Sequence, residues 1–132
     1  MERVGEMKAE ELMKFRNWIV AGDVMDEMKY AGRIFNKLKR KGYNVIGLHP
    51  LDSSPEVYKK FDELAGLAEK FEVLNLVVNP VRGLEITMEA RKYGINKVLA
   101  QPGARSDEIR TFCEKNHMDY IEGCTLVELN NL

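Results

Sequence analysis

Short runs of Val, Ile, Leu and Ala alternate with longer stretches of mixed polarity along this chain. Residues 18–22, 44–48, 73–78 and 97–100 are apolar with little polar alternation, the pattern of strands covered on both faces in a parallel sheet. Residues 118–121 form a fifth candidate, interrupted by Asp119. Between the runs the period lengthens. Tyr30, Ala31, Ile34, Phe35 and Leu38 share one helical face, Arg33, Lys37, Lys39, Arg40 and Lys41 take the others, and Gly42 supplies the stop. A second helix is expected over 84–93, ending at Gly94. A third opens at Ser106, a good N-cap, with Asp107 and Glu108 in its first turn and Ile109, Phe112 and Cys113 facing inward. Residues 1–16 read as an amphipathic leader helix. Residues 55–71 carry helical spacing through Val57, Tyr58, Phe61, Leu64 and Leu67, although Val57-Tyr58 reads equally well as a short strand.

Strands alternating with helices imply right-handed crossovers and a doubly wound α/β sheet of about five parallel strands in three layers. All 132 residues fit one such domain. A ligand crevice is then expected beyond the carboxyl ends of the strands, where the strand order reverses. Three runs end in a polar residue followed by proline: His49-Pro50, Asn79-Pro80 and Gln101-Pro102. Proline cannot donate to a sheet and holds the preceding residue extended, so each pair marks a strand exit on that edge. Gly83 and Gly103 follow closely and permit near approach of backbone.

The first strand-to-helix turn, Gly22 to Gly32, is where helix amides would meet a phosphate. It matches neither G-x-G-x-x-G nor a P-loop. Lys29 and Arg33 offer positive charge there, while Asp23, Asp26 and Glu27 oppose it. Ordinary NAD binding is therefore not expected.

Charge and composition narrow the classes further. Lys plus Arg number 20 against 21 acids, so the formal charge is −1, without the basic excess of a dedicated nucleic-acid binder. The lysine-rich run 37–41 reads as a solvated helix face. Cys113 and Cys124 form no C-x-x-C pair, and His49 and His117 show no metal-ligand spacing, so no metal is expected. No apolar stretch approaches the ~20 residues of a membrane span, and no apolar leader segment stands at the start. A reducing, cytoplasmic setting is the expectation. Cys113 is expected in the core, and Cys124 either packs the sheet or serves as a reactive thiol. His117 is expected to close a helix end. No catalytic set can be placed at the crevice, so an enzyme is not the favoured reading.

Certain segments carry a family resemblance: Ile19-Val20-Ala21-Gly22, Lys29-Tyr30-Ala31, Leu38 with Gly42-Tyr43-Asn44-Val45-Ile46, Leu76-Val77-Val78-Asn79-Pro80, Gln101-Pro102-Gly103, and Glu122-Gly123-Cys124-Thr125-Leu126-Val127. In this order and spacing they resemble a small stand-alone CoA-binding domain, similar to the N-terminal domain of the succinyl-CoA synthetase alpha subunit. The resemblance implies a Rossmann-like fold that binds coenzyme A. It implies that Gly22, Asp23, Val24, Met25, Lys29 and Tyr30 lie in the nucleotide loop and His49 and Pro50 beside the adenosine. Asn79, Pro80 and Arg82, then Gln101, Pro102 and Gly103, would line the next two strand exits. Where the family's loop commonly has a hydroxyl residue and prolines, this chain has residues 23–27, Asp-Val-Met-Asp-Glu. The expected function is non-catalytic binding of CoA, or of a related acyl-CoA or nucleotide. Alternatives are a binding-deficient interaction module, which would dock a protein partner or a second copy, and a redox protein pairing Cys124 with the CoA thiol.

Overall fold

The computed structural model describes residues 7–52, 54–64, 66–67 and 70–132. Its elements are α1 (Ala9–Leu12), β1 (Asn17–Ala21), α2 (Tyr30–Arg40), β2 (Asn44–Leu48), β3 (Val57–Tyr58), a 3-10 turn (Phe61–Leu64), β4 (Val73–Leu76), α3 (Pro80–Lys92), β5 (Lys97–Ala100), α4 (Asp107–Lys115), β6 (Asp119–Glu122) and α5 (Thr125–Asn130). One six-stranded sheet runs β3-β2-β1-β4-β5-β6, every pairing parallel. The order reverses between β1 and β4, so this is a Rossmann-like doubly wound sheet with its switch point at those two strands.

Alternation along the strands divides the core. Ile19 and Ala21 of β1 face α3 and α4, packing with Leu74, Leu76, Ile86, Ala90, Ile109 and Cys113. Trp18 and Val20 face the other way, onto Leu12, Ile34, Phe35, Leu38 and Leu129 of α1, α2 and α5. The Trp18 indole donates to the Phe15 carbonyl at 2.7 Å and the Tyr43 hydroxyl to the Met13 carbonyl at 2.6 Å, so neither large aromatic is buried without a partner.

Several expectations are corrected. Of the two readings of Val57-Tyr58 the strand is the one formed: it pairs with Gly47 and Leu48 at the edge, so the sheet of about five strands has six, and the helical spacing over 55–71 yields only the 3-10 turn among the described residues. The leader helix is the short α1; residues 1–6 lie outside the described residues. The second helix starts at Pro80 rather than 84: Asn79 accepts the Arg82 amide at 3.0 Å as N-cap and Pro80 takes the first helical position, where its missing N–H costs nothing. The strand before it ends at Leu76 rather than 78. Helix α5 was not expected from the pattern. Its N-cap residue, Cys124, makes no side-chain capping bond, and the buried Thr125 amide is met instead by Oε1 of Gln101 at 3.2 Å. His117 follows the end of α4 with a φ of 56°, the left-handed position usually given to glycine.

Candidate functional site

The β1–α2 loop is shaped by two glycines outside any G-x-G-x-x-G motif. A Cβ on Gly32 would stand 2.1 Å from the Asp26 carbonyl oxygen, so the loop lies directly on the first turn of α2. A Cβ on Gly47 would meet Val24 at 2.4 Å, and Val24 is accordingly buried against β2 as the loop's anchor. Asp26 organises the loop by accepting the Met28 amide at 3.0 Å on its side chain and the Lys29 amide at 3.1 Å on its carbonyl. Asp23 binds the Lys29 ammonium at 2.9 Å. That hydrogen bond first, and then the charge of Asp23, raise the Lys29 pKa above its ordinary value. Charges that seemed set against a phosphate are thus largely occupied within the loop. Lys29 cannot cap α2, and no side chain does, so the first-turn amides of that helix face the sheet edge without a side-chain acceptor.

Beside the switch point, a cavity of about 790 Å³ opens between the β2 exit, the 3-10 turn and α3. Its apolar floor includes Leu48, Phe61 and Ile86, and its rim carries Lys59, Lys60, Arg82 and Lys92 against Asp62, Glu63, Glu85 and Glu89. Most of these charges are engaged: Arg82 with Glu85 at 3.5 Å, Lys92 with Glu89 at 3.3 Å, Glu63 with the Lys59 amide at 2.8 Å. The Tyr93 hydroxyl donates to Asp62 at 2.7 Å, and this bond, aided by burial, raises the Tyr93 pKa. The size falls within the range of small-molecule pockets, with an apolar base and polar groups at the mouth.

The residues expected at the crevice divide. Pro50 and Arg82 line the cavity. Gly22 sits at the end of β1 with its amide on the Leu48 carbonyl at 3.1 Å, and a Cβ there would stand 2.8 Å from the Val77 carbonyl oxygen. Met25 and Tyr30 are exposed on the loop and helix start. His49 accepts the Leu51 amide on Nδ1 at 3.2 Å, which leaves Nε2 for another partner. Asn79 and Pro80 build the start of α3. Gln101 is the clear departure. It is buried, donating through Nε2 to Asn75 Oδ1 at 2.9 Å and to Thr125 Oγ1 at 2.7 Å, while Asn75 donates to Thr125 Oγ1 at 2.6 Å. Its amide braces α5 on the sheet, leaving Pro102 and Gly103 exposed at that exit. Lys59, Lys60, Phe61 and Ile86 line the cavity and were not singled out from the sequence; the Lys59-Lys60 pair directly after the candidate strand Val57-Tyr58 was the available signal.

The two cysteines are placed differently. Cys113 is in the core, where burial pushes its thiol up to about 12, whereas Cys124 is half-buried. On the far side, Tyr120 donates to Glu122 at 2.9 Å, Arg110 pairs with Glu122 at 3.1 Å, and burial followed by the Glu122 bond pushes the phenol to about 12. Among the described residues, no group of three or more His, Cys, Asp or Glu is placed to hold a metal, and no helix is long and apolar enough to cross a membrane.

Comparison with known proteins accords with this fold. A conserved hypothetical protein from Pyrococcus furiosus is 35% identical, superposes with a TM-score of 0.77, and is matched over 86% of this chain and 99% of its own. A hypothetical protein from Pyrococcus horikoshii shares the fold at 18% identity, with a TM-score of 0.83 over 100% of this chain and 96% of its own. A Thermus thermophilus protein does so at 18% identity, with a TM-score of 0.79 over 95% and 98%. No protein of curated function matches the sequence. Residues 16–130 match the family described as CoA binding domain, and the chain therefore belongs to that family.

Proposed function

We propose that this protein is a non-catalytic binding module for coenzyme A. In this reading the pyrophosphate lies across the Gly22–Lys29 loop, and the adenosine end reaches the cavity beside Pro50 and Arg82. The observation that carries it is the uncapped first turn of α2 at the switch point of the sheet. Unpaired helix amides there favour an anion through both hydrogen bonding and the helix dipole. Family membership supports the same ligand. Lys29 would join the phosphates by leaving Asp23, an exposed pair that solvent screens and that is easily exchanged for another anion.

The test is thermal unfolding of protein shown to be free of ligand, with CoA, dephospho-CoA, ADP and NAD added separately. A ligand at a hundredfold its Kd adds about 2.7 kcal/mol to the native state. Stabilisation by CoA, with NAD inert, supports the reading. A flat response to every nucleotide at millimolar concentration refutes it and favours the interaction module, for which the Asp23–Lys29 pair holding the loop lysine is the supporting observation.

A further inference from the structure

The face of the sheet that carries α1, α2 and α5 lies opposite the cavity, and its charge is divided into two flanks. Along α2, Arg33, Asn36, Lys37 and Arg40 line a groove of about 600 Å³ against Leu126 of α5. Spacings of three, four and seven place them on one stripe of the helix. Lys39, also in the lining, is paired with Glu56, and Lys37 donates to Asn130. Glu27 is the acid of this groove, and Arg33 leans toward the Tyr30 ring at 5.9 Å. Neither Arg33 nor Arg40 has an ion-pair partner among the described residues.

Across α5 the sign reverses. Glu10 and Glu11 of α1 and Glu128 of α5 line a hollow of about 320 Å³, with Lys14 as its cation. Glu11 holds the Lys8 amide at 3.1 Å, while Glu10 and Glu128 have no ion-pair partner among the described residues. Between the flanks lies an apolar strip of half-buried Leu126 and exposed Val127 (51%) and Leu132 (68%).

A basic flank, an apolar strip and an acidic flank, in that order, are complementary to their own copy under a two-fold rotation about the strip. We propose that this face pairs with a second copy of the chain, the Arg33/Arg40 flank of each on the Glu10/Glu128 flank of the other, with Val127 near the axis. A nucleic acid laid on the α2 stripe would meet the acidic flank beside it, which favours a protein surface of mixed sign. The pairing leaves the cavity on the opposite face open, but Glu27 of the Gly22–Lys29 loop lies in the basic groove, so the test is run on protein free of CoA.

The test is light scattering on the eluting protein over rising concentration, for wild type and two charge reversals, Arg33→Glu with Arg40→Glu and Glu10→Lys with Glu128→Lys. Wild type should reach twice the 15.2 kDa chain mass. It should dissociate as salt rises from about 0.1 M to about 1 M, where the screening length falls from ~10 Å to ~3 Å. Each reversal alone faces like charge with like and should weaken pairing about tenfold or more. An equimolar mixture of the two restores opposite flanks on both sides and should return the doubled mass. Circular dichroism and thermal unfolding confirm that each variant is folded; if one is not, the salt series on wild type decides. A wild type that stays monomeric, a dimer that survives either reversal, or folded variants that do not pair on mixing would overturn the proposal. So would binding of a DNA duplex by a wild type that shows no dimer at the same salt.

Discussion

Replacing Gln101 with Met tests whether the buried amide network holds α5 on the sheet. Met has similar length and no hydrogen-bonding amide, so the substitution removes the bonds with little change of shape. Gln101 makes three of them, to Asn75 Oδ1, Thr125 Oγ1 and the Thr125 amide. Thr125 Oγ1 keeps its bond from Asn75, but Asn75 Oδ1 and the Thr125 amide are left unpaired in sites closed to water. At ~1–3 kcal/mol for each buried unsatisfied group, the cost is about 2–6 kcal/mol. With ~4 °C per kcal/mol for a chain of this size, that is a fall of roughly 8–24 °C in Tm. Urea unfolding followed by circular dichroism measures it directly. The mechanism also makes a contrary prediction: adding Asn75→Leu and Thr125→Val to Gln101→Met removes the stranded side-chain groups and should recover part of the loss. A single variant within ~0.5 kcal/mol of wild type would refute the reasoning. So would a triple variant less stable than the single one.

Further outcomes follow from other contacts. Gly32→Ala should destabilise by ~1–3 kcal/mol in thermal unfolding, despite the better helix propensity of alanine, because its Cβ would sit 2.1 Å from the Asp26 carbonyl oxygen. Asp23→Asn should tighten CoA binding by up to about fivefold in low-salt calorimetry by releasing Lys29, and Lys29→Ala should weaken it. In alkali, the unfolded chain releases the Cys113 proton near its ordinary pKa of 9.0, while the folded thiol holds its proton to about 12. Stability from this group is therefore complete below pH 9 and lost as pH rises toward 12, and Tm measured across that window should fall less in Cys113→Ala. The same burial should make Cys113 inert to a thiol reagent until the chain unfolds, as mass spectrometry of native and denatured protein would show.

What could be read along the chain was set by local physics. Residues 44–48 and 97–100 are strands because short Val/Ile/Leu runs between helical stretches have to be covered on both faces. Strand–helix alternation then dictates the crossovers and the ligand edge, and with them the fold class. The α2 face was legible except at its start: Ala31, Ile34, Phe35 and Leu38 recur at helical spacing and are buried, while Tyr30, expected on the same face, is exposed at the first helical position. Asn79-Pro80 was read as a strand exit, but β4 ends at Leu76 and the pair instead caps and opens α3, so the start of that helix was misplaced. Polar pairing was not legible, because its partners lie far apart in sequence. Gln101 and Thr125 are separated by 24 residues, and Gln101 and Asn75 by 26, so only packing could turn an expected crevice residue into a buried brace. Likewise the sequence put acids in the first loop, while the folded loop gave Asp23 to Lys29 and Asp26 to backbone amides. Hydrophobic periodicity is a property of neighbours and survives in one dimension. The destination of a charge or an amide depends on which atoms the fold brings within about 3 Å, and only the tertiary structure decides that.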